Sequence, residues 1–198
     1  MNWPEWLPLR PELKSMQPYG APQVAAKVRI NTNENPFGPS AKLIESIQNR
    51  ISEVAQIINR YPDRDSIELR KKLANYLGNQ ITLENIWPAN GSNEVIQSIF
   101  LAFGSGSTLG FMPSYSMHPL IAKVTGVSWV EGKRRDDFTL DIAAALKQIK
   151  EIKPKLTFIT SPNNPTGDFI KIEDLEKLVA ATKSVSGLLV IDEAYAEF

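Results

Sequence analysis

The sequence predicts an α/β fold in which a mainly parallel sheet carries helices on both faces. From residue 86 onward, short apolar runs rich in β-branched residues alternate with longer segments whose apolar residues recur at helical spacing. The last of these runs, Leu188 to Ile191, is apolar without interruption, which is typical of a strand buried on both faces of a parallel sheet. Such an alternation predicts helical crossovers between parallel neighbours.

The predicted elements follow one another with short connections. We predict strands near residues 86–89, 108–112, 128–130, 156–160 and 188–191. We predict the helices between them near residues 93–103, 115–125, 141–150 and 172–183. Two amphipathic helices precede this alternation: the first follows Ser40 and extends to about Ile58, and the second runs from about Ser66 to Leu77.

Residues 1–39 are predicted to form an irregular N-terminal arm and a loop, and residues 40–198 the main domain. Prolines recur between residues 4 and 22 and prevent a long helix, and turn-forming residues fill positions 31–39. The apolar side chains of the arm need a surface to pack on. That surface belongs either to the same subunit or to a partner.

The composition excludes several classes of function. The 22 basic residues balance the 22 acidic ones without a basic block, so the electrostatic footprint of a nucleic-acid-binding protein is missing. The sequence has no cysteine and a single histidine, His118, which excludes a thiolate or multi-histidine metal site. No apolar run is long enough to cross a membrane, and the proline-containing start is unlike a signal peptide. We therefore expect a cytoplasmic protein with no nucleic-acid or membrane partner and without a metal site of these two kinds.

A short polar segment stands between the first predicted strand and the helix that follows it. Gly91 lets the backbone approach a ligand closely, and Ser92 and Asn93 add polar groups next to the free amides of a helix start. This combination is typical of a phosphate cradle. The alternative is that Ser92 or Asn93 only caps the helix.

Three further side chains follow predicted strands. Tyr115 offers a flat ring that can stack on a flat ligand or lie at the edge of the core. Asn164 precedes a proline, which holds it extended and fixes the direction of its amide. Asp192 comes directly after the last strand, where it is placed for chemistry, metal binding or helix capping. Because ligands bind beyond the carboxyl ends of parallel strands, we expect these side chains to converge.

The order and spacing of several segments resemble those of the fold type I pyridoxal-phosphate aminotransferases. The segments are Asn33–Pro36, Arg60–Pro62, Gly91–Glu94, Ser161–Gly167 and Asp192–Phe198. Pro18 to Gln23 resembles the histidinol-phosphate aminotransferases in particular. The resemblance spans nearly the whole chain. It implies that residues 40–198 are an incomplete copy of the large, cofactor-binding domain of that fold.

The resemblance implies roles around the ring of pyridoxal 5′-phosphate. Asp192 would pair with the protonated pyridine nitrogen and keep the ring an electron sink. Asn164 and Tyr195 would donate hydrogen bonds to the phenolic oxygen. Tyr115 would stack on the ring face.

The resemblance also implies roles for residues around the phosphate and the substrate. The phosphate would be held by Gly91, Ser92 and Asn93. Tyr61 would reach the phosphate of the neighbouring subunit, which implies a homodimer with shared active sites. The substrate end would be lined by Tyr19, Asn33, Glu34 and Asn35.

The lysine that forms the Schiff base in these enzymes follows the Asp192 segment in a Ser-Lys setting. The sequence stops at Phe198, and none of its lysines stands in that setting. We therefore expect the N-terminal part of a longer enzyme, with no catalytic residue in this part and no turnover by itself.

The resemblance implies that the whole enzyme transfers an amino group between glutamate and imidazole-acetol phosphate in histidine biosynthesis. Three alternatives stay open, because the arginines that would bind the substrate are expected downstream. They are another fold type I aminotransferase with an aromatic or aspartate substrate, a threonine-phosphate decarboxylase, and a non-catalytic module that keeps the cofactor pocket.

Overall fold

The computed structural model describes residues 3–17, 20, 24–28 and 30–198. The chain divides into two compact units, one formed by Met1–Met16 with Ala89–Phe198 and the other by Gln17–Pro88. The predicted division after residue 39 concerns the domains of a whole enzyme and stays a prediction.

A parallel sheet forms the centre of the larger unit. Its strands are β1 (Thr108–Met112), β2 (Trp129–Lys133), β3 (Leu156–Thr160) and β4 (Leu188–Asp192). They lie side by side in the order β2-β1-β3-β4, and every neighbouring pair is parallel. The parallel sheet predicted from the alternating pattern is confirmed.

The described residues also contain six α-helices. They are α1 (Ala41–Ala55), α2 (Ile67–Leu77), α3 (Ser92–Phe103), α4 (Met117–Thr125), α5 (Ile142–Ile152) and α6 (Ile172–Ser184). Within the described parts of the chain, none of these helices combines the length and apolar character needed to span a bilayer.

The core lies on both faces of the sheet, because alternate residues of a strand point to opposite sides. On one face Leu156 and Phe158 of β3 pack with residues of α3 and α4. On the other face Ile159 packs with residues of α5 and α6. The prediction of helices on both faces is therefore confirmed.

The direction in which the chain adds strands reverses between β1 and β3. From β1 the chain continues through α4 to β2 at one edge, whereas from β3 it continues through α6 to β4 at the other. Since α4 and α6 lie on opposite faces, a crevice opens where the loops after β1 and β3 diverge. Loop residues after both strands border this crevice.

The described beginning of the arm packs on the same chain. Residues 3–17 contain one 3₁₀ turn, Pro11–Leu13, and are otherwise irregular, as predicted. The Arg10 guanidinium donates hydrogen bonds to the carbonyl oxygens of Lys123 and Val124. A cation is favourable there because the C-terminus of α4 carries a partial negative charge.

The predicted strand at residues 86–89 is wrong. The segment is extended but pairs with no strand among the described residues, and Trp87 is 58% exposed. Pro88 has no N–H to give to a ladder, which disfavours a place inside a sheet. The other predicted strands are present with small shifts of their ends. Among the helices, α1 ends at Ala55 instead of near Ile58, and α4 begins at Met117 instead of near Tyr115.

Candidate functional site

A cavity of about 120 Å³ opens at the carboxyl edge of the sheet. It lies where the loops after β1 and β3 diverge, the position at which open parallel sheets bind ligands. Its lining consists of Ser92, Tyr115, Thr160, Asn164, Asp192, Ala194 and Tyr195. The structure thus brings together five side chains that the sequence places at a cofactor site, although they come from four separate segments.

The start of α3 borders this cavity without a side-chain cap. Gly91 occupies the N-cap position at φ 82°, a left-handed conformation that favours glycine, and no side chain accepts a hydrogen bond there. Ser92 and Asn93 fall inside the first helical turn, so the alternative that one of them caps the helix is wrong. The first-turn amides of α3, together with its dipole, suit an anion such as phosphate.

Two hydrogen bonds fix the loop that leads into α3. The Asn90 N–H donates to Glu94 Oε2 at 2.7 Å, which closes the loop back on the first turn of the helix. The Tyr115 hydroxyl donates to Asn93 Oδ1 at 3.3 Å. The second bond connects the loop after β1 to the start of α3, and so connects the residues predicted to bind the ring to those predicted to bind the phosphate.

Several predicted site residues belong to the smaller unit or lie outside the described residues. Tyr61 is fully exposed, and Asn33, Glu34 and Asn35 are exposed as well. All four belong to the unit Gln17–Pro88. Tyr19, and with it most of the Pro18 to Gln23 run, lies outside the described residues. The roles of these residues stay predictions.

The sequence did not predict Thr160, which lines the cavity, or His118 as residues of the site. His118, on α4, places Nε2 2.9 Å from Asp192 Oδ2, and its side chain is only 2% exposed. The side chain of Asp192 is 9% exposed. Because an ionised carboxylate can only accept, the imidazole Nε2 donates this hydrogen bond. In the sequence, this single histidine argues only against a multi-histidine metal site.

The aromatic neighbours of His118 hold its ring in place. The Tyr115 ring meets the imidazole edge-on with a centroid distance of 5.4 Å. The Phe158 ring lies 4.9 Å from it, and the Trp129 ring 6.4 Å. Since these side chains come from β2, β3 and the loop after β1, the imidazole is held from several directions. The orientation of the carboxylate that accepts from it is fixed in turn.

The surroundings of Asp192 keep its carboxyl ionised. Burial raises the pKa of Asp192, whereas hydrogen bonds from His118 and from the Ala194 N–H lower it, and the net pKa lies below the ordinary value. The Ala194 N–H donates to Oδ1 at 3.2 Å, so both oxygens are engaged. A carboxyl with a lowered folded pKa stabilises the fold above its unfolded pKa of about 3.9, and this contribution is lost as pH falls through the folded pKa. Asp192 is therefore an anion at neutral pH.

Comparison with known proteins places the chain in a family. The model of the aminotransferase class I and II family matches residues 25–198. The chain belongs to this family. Its curated relatives include the histidinol-phosphate aminotransferases of Thermobifida fusca, 50% identical over 194 residues, and of Mycobacterium sp. (strain KMS), 48% identical over 198 residues. Each match covers 97% of this chain and 52% of the relative, so the chain spans about half the length of these proteins.

Solved structures agree with this family membership. The histidinol-phosphate aminotransferase of Clostridium acetobutylicum matches with a TM-score of 0.67 and 26% identity, over 84% of this chain and 47% of that one. The enzyme of the same name from Sinorhizobium meliloti, solved in complex with pyridoxal-5′-phosphate, matches with a TM-score of 0.75 and 24% identity, over 96% of this chain and 52% of that one. These likenesses confirm the fold type I architecture that the resemblance implies.

Replacing His118 with phenylalanine tests the electrostatics of the site. The variant keeps an aromatic ring among Tyr115, Trp129 and Phe158 but removes the donor to Asp192. Because burial is then opposed by the Ala194 N–H alone, we expect the pKa of Asp192 to rise above that in the unsubstituted chain. Carboxyl-carbon NMR titration of the two proteins measures the change.

The matched control is His118→Gln, whose amide is another hydrogen-bond donor. Its Asp192 pKa should lie below that of His118→Phe. An Asp192 pKa that is the same in His118→Phe as in the unsubstituted chain would show that the imidazole does not hold the carboxylate ionised.

Proposed function

We propose that the chain is the N-terminal half of a pyridoxal-phosphate-dependent aminotransferase and that its cavity holds the cofactor. The observation that carries this proposal is the buried, ionised carboxylate of Asp192 in the same cavity as the uncapped start of α3. An anionic partner suits a protonated ring nitrogen, and a helix start suits a phosphate. When bound, pyridoxal 5′-phosphate supplies an electron sink for charge at the α-carbon of an amino acid.

The phosphate end of the cofactor fits the segment Gly91 to Asn93. The left-handed conformation of Gly91 turns the chain into α3 without a capping side chain, so no such side chain occupies the first-turn amides at this border of the cavity. Ser92 lines the cavity and adds a hydroxyl donor. The group they recognise is a compact anion with several acceptor oxygens.

The ring end fits the side chains after β1, β3 and β4. Asp192, fixed by His118, would keep the ring nitrogen protonated. Asn164 and Tyr195 line the same cavity and carry donors for the phenolic oxygen. Tyr115 lines it too, with a flat ring that can stack on the pyridine. These four side chains provide an anion for the ring nitrogen, two hydrogen-bond donors for the phenolic oxygen and an aromatic face that can stack on the ring.

We propose that the whole enzyme transfers an amino group from glutamate to imidazole-acetol phosphate, which gives histidinol phosphate. In the reverse direction histidinol phosphate is the amino donor. Identity of 48% to 50% with histidinol-phosphate aminotransferases, over nearly the whole chain, supports this choice. A likeness to an aspartate aminotransferase of Thermus thermophilus, at 21% identity, reflects the fold alone. We assign the substrate end to Tyr19, Asn33, Glu34 and Asn35.

We also propose that the whole enzyme works in the cytoplasm as a homodimer in which Tyr61 contacts the phosphate in the neighbouring subunit. The complete exposure of Tyr61 leaves its hydroxyl accessible to another chain. The resemblance of the Arg60 to Pro62 run supports this role.

Binding of deoxypyridoxine 5′-phosphate tests the cofactor site in this chain. This analogue lacks the aldehyde, so its affinity does not depend on a lysine. We expect saturable binding, weakened about tenfold or more by Asp192→Asn, because a charge-assisted hydrogen bond contributes about 1.5–3 kcal/mol. Tyr115→Phe should change the affinity less, since a phenyl ring still stacks. Isothermal titration calorimetry measures all three proteins. Absence of binding, or an Asp192→Asn affinity equal to that of the unsubstituted chain, contradicts the proposal.

Amino-donor preference tests the substrate. The full-length protein that carries this sequence should show a higher kcat/KM with histidinol phosphate than with aspartate or phenylalanine. A coupled assay with each donor measures the three specificity constants. A higher value for aspartate or phenylalanine would overturn the substrate assignment while leaving the aminotransferase proposal in place.

A further inference from the structure

A buried amide lies directly beside the proposed ring contact Asn164. Asn163 is 2% exposed, and its side chain makes three hydrogen bonds. Its Nδ2 donates to the carbonyl oxygen of Pro113 at 3.1 Å and to Thr166 Oγ1 at 2.7 Å. Its Oδ1 accepts from Ser114 Oγ at 2.8 Å. Because the Pro113 carbonyl can only accept, the orientation of the amide is determined.

A chain of hydroxyl groups extends this network to the end of β3. Ser114 Oγ lies 2.9 Å from Thr160 Oγ1, and it has a single proton. That proton goes to Asn163 Oδ1, so the Thr160 hydroxyl donates to Ser114. Thr160 itself lines the cavity. The network therefore runs from the cavity wall to the buried amide.

The backbone of Asn163 also closes its own loop. Its N–H donates to the carbonyl oxygen of Asp168 at 2.7 Å, and its carbonyl oxygen accepts from the Gly167 N–H at 2.7 Å. The Asp168 carboxylate is in turn bonded to the Arg134 guanidinium, whose side chain is 1% exposed, at 3.2 Å. The loop that carries Asn164 is thus fixed at both of its ends.

The network connects the loop after β1 to the loop after β3. Ser114 directly precedes Tyr115 in the loop after β1, and Asn163 directly precedes Asn164 in the loop after β3. Tyr115 and Asn164 both line the cavity. Side-chain bonds from Asn163 to Pro113 and Ser114 join these loops. The side chain of Asn163 therefore contributes to the relative position of the stacking ring and the amide donor, together with the bond between Ser114 and Thr160.

We propose that Asn163 is a positioning residue for the cofactor ring, which sets the place of Asn164 relative to Tyr115. This inference rests on the proposed function. Asn163 does not line the cavity, so its effect on a ligand passes through its neighbours. Replacing Asn163 should therefore change the contacts of the protein with the ring and its phenolic oxygen. The phosphate contacts at Gly91 to Asn93 should be retained, because the hydrogen bond between the Asn90 N–H and Glu94 closes that loop separately.

The test compares two ligands of the full chain, deoxypyridoxine 5′-phosphate and inorganic phosphate. We expect Asn163→Ala to weaken the analogue about tenfold, the equivalent of one to two net hydrogen bonds. The affinity for inorganic phosphate should change by less than about twofold, since the substitution lies outside the proposed phosphate contacts at Gly91 to Asn93. The absorbance of the bound analogue should also show its phenol ionising at higher pH, because the donor on Asn164 is displaced.

Two further variants separate positioning from general stability. Ser114→Ala removes the bonds of this hydroxyl to Asn163 and Thr160 but leaves the Asn163 bonds to Pro113 and Thr166, so it should shift analogue affinity and phenol ionisation in the same direction by a smaller amount. It also serves as the test if Asn163→Ala does not fold. Ile149→Val shortens a buried side chain of α5 outside the network and should change neither quantity.

The possible results distinguish a failure of the positioning role of Asn163 from a failure of the proposed cofactor site. Analogue affinity and phenol ionisation that are unchanged in both Asn163→Ala and Ser114→Ala would overturn the inference and leave the proposed function standing. An equal loss of affinity for the analogue and for inorganic phosphate would also overturn it, since that indicates general support of the fold. Absence of analogue binding to the unsubstituted chain would overturn the proposed function, and the inference with it.

Discussion

A carboxylate that is almost fully buried at the end of a strand is stable only where donors satisfy it, and in this protein the main donor is His118. The hydrogen bond from Nε2 to Asp192 Oδ2, 2.9 Å long, offsets the cost of burying the charge. Without it, burial would raise the pKa of Asp192 and would be opposed only by the Ala194 N–H. The proposed chemistry depends on that charge, because a neutral side chain is a poor partner for a protonated ring nitrogen.

The sheet topology explains why these groups meet. The strand order β2-β1-β3-β4 reverses direction between β1 and β3, and α4 and α6 leave on opposite faces. His118 on α4 therefore reaches across the edge to Asp192 at the end of β4. The loops after β1 and β3 border the cavity that this reversal opens, and the side chain of Asn163 joins them.

Much of this arrangement could be predicted from the sequence, because strand ends in a parallel sheet share one edge. The run Leu188 to Ile191 predicts a strand that ends at Asp192, which is confirmed, but β4 is an edge strand of the described sheet and Leu188 is 41% exposed, so the expected burial on both faces is wrong. His118 could not be found in this way, since its partner is 74 residues away and no local pattern connects them. The only hint of its role in the sequence is its position, near the start of a predicted helix that follows a strand. The helix-cap alternative for Ser92 was decided by the conformation of Gly91, which residue type alone does not fix.

We propose that the anion at Asp192 keeps a bound pyridine nitrogen protonated. The most direct test is the NMR chemical shift of the ring nitrogen in isotopically labelled deoxypyridoxine 5′-phosphate bound to the chain. At a pH where the nitrogen of the free analogue is unprotonated, the bound nitrogen should still give the shift of a protonated pyridine, and Asp192→Asn should abolish this difference. A bound nitrogen that is unprotonated at that pH, or one whose shift is the same with Asp192→Asn, would contradict this role of Asp192.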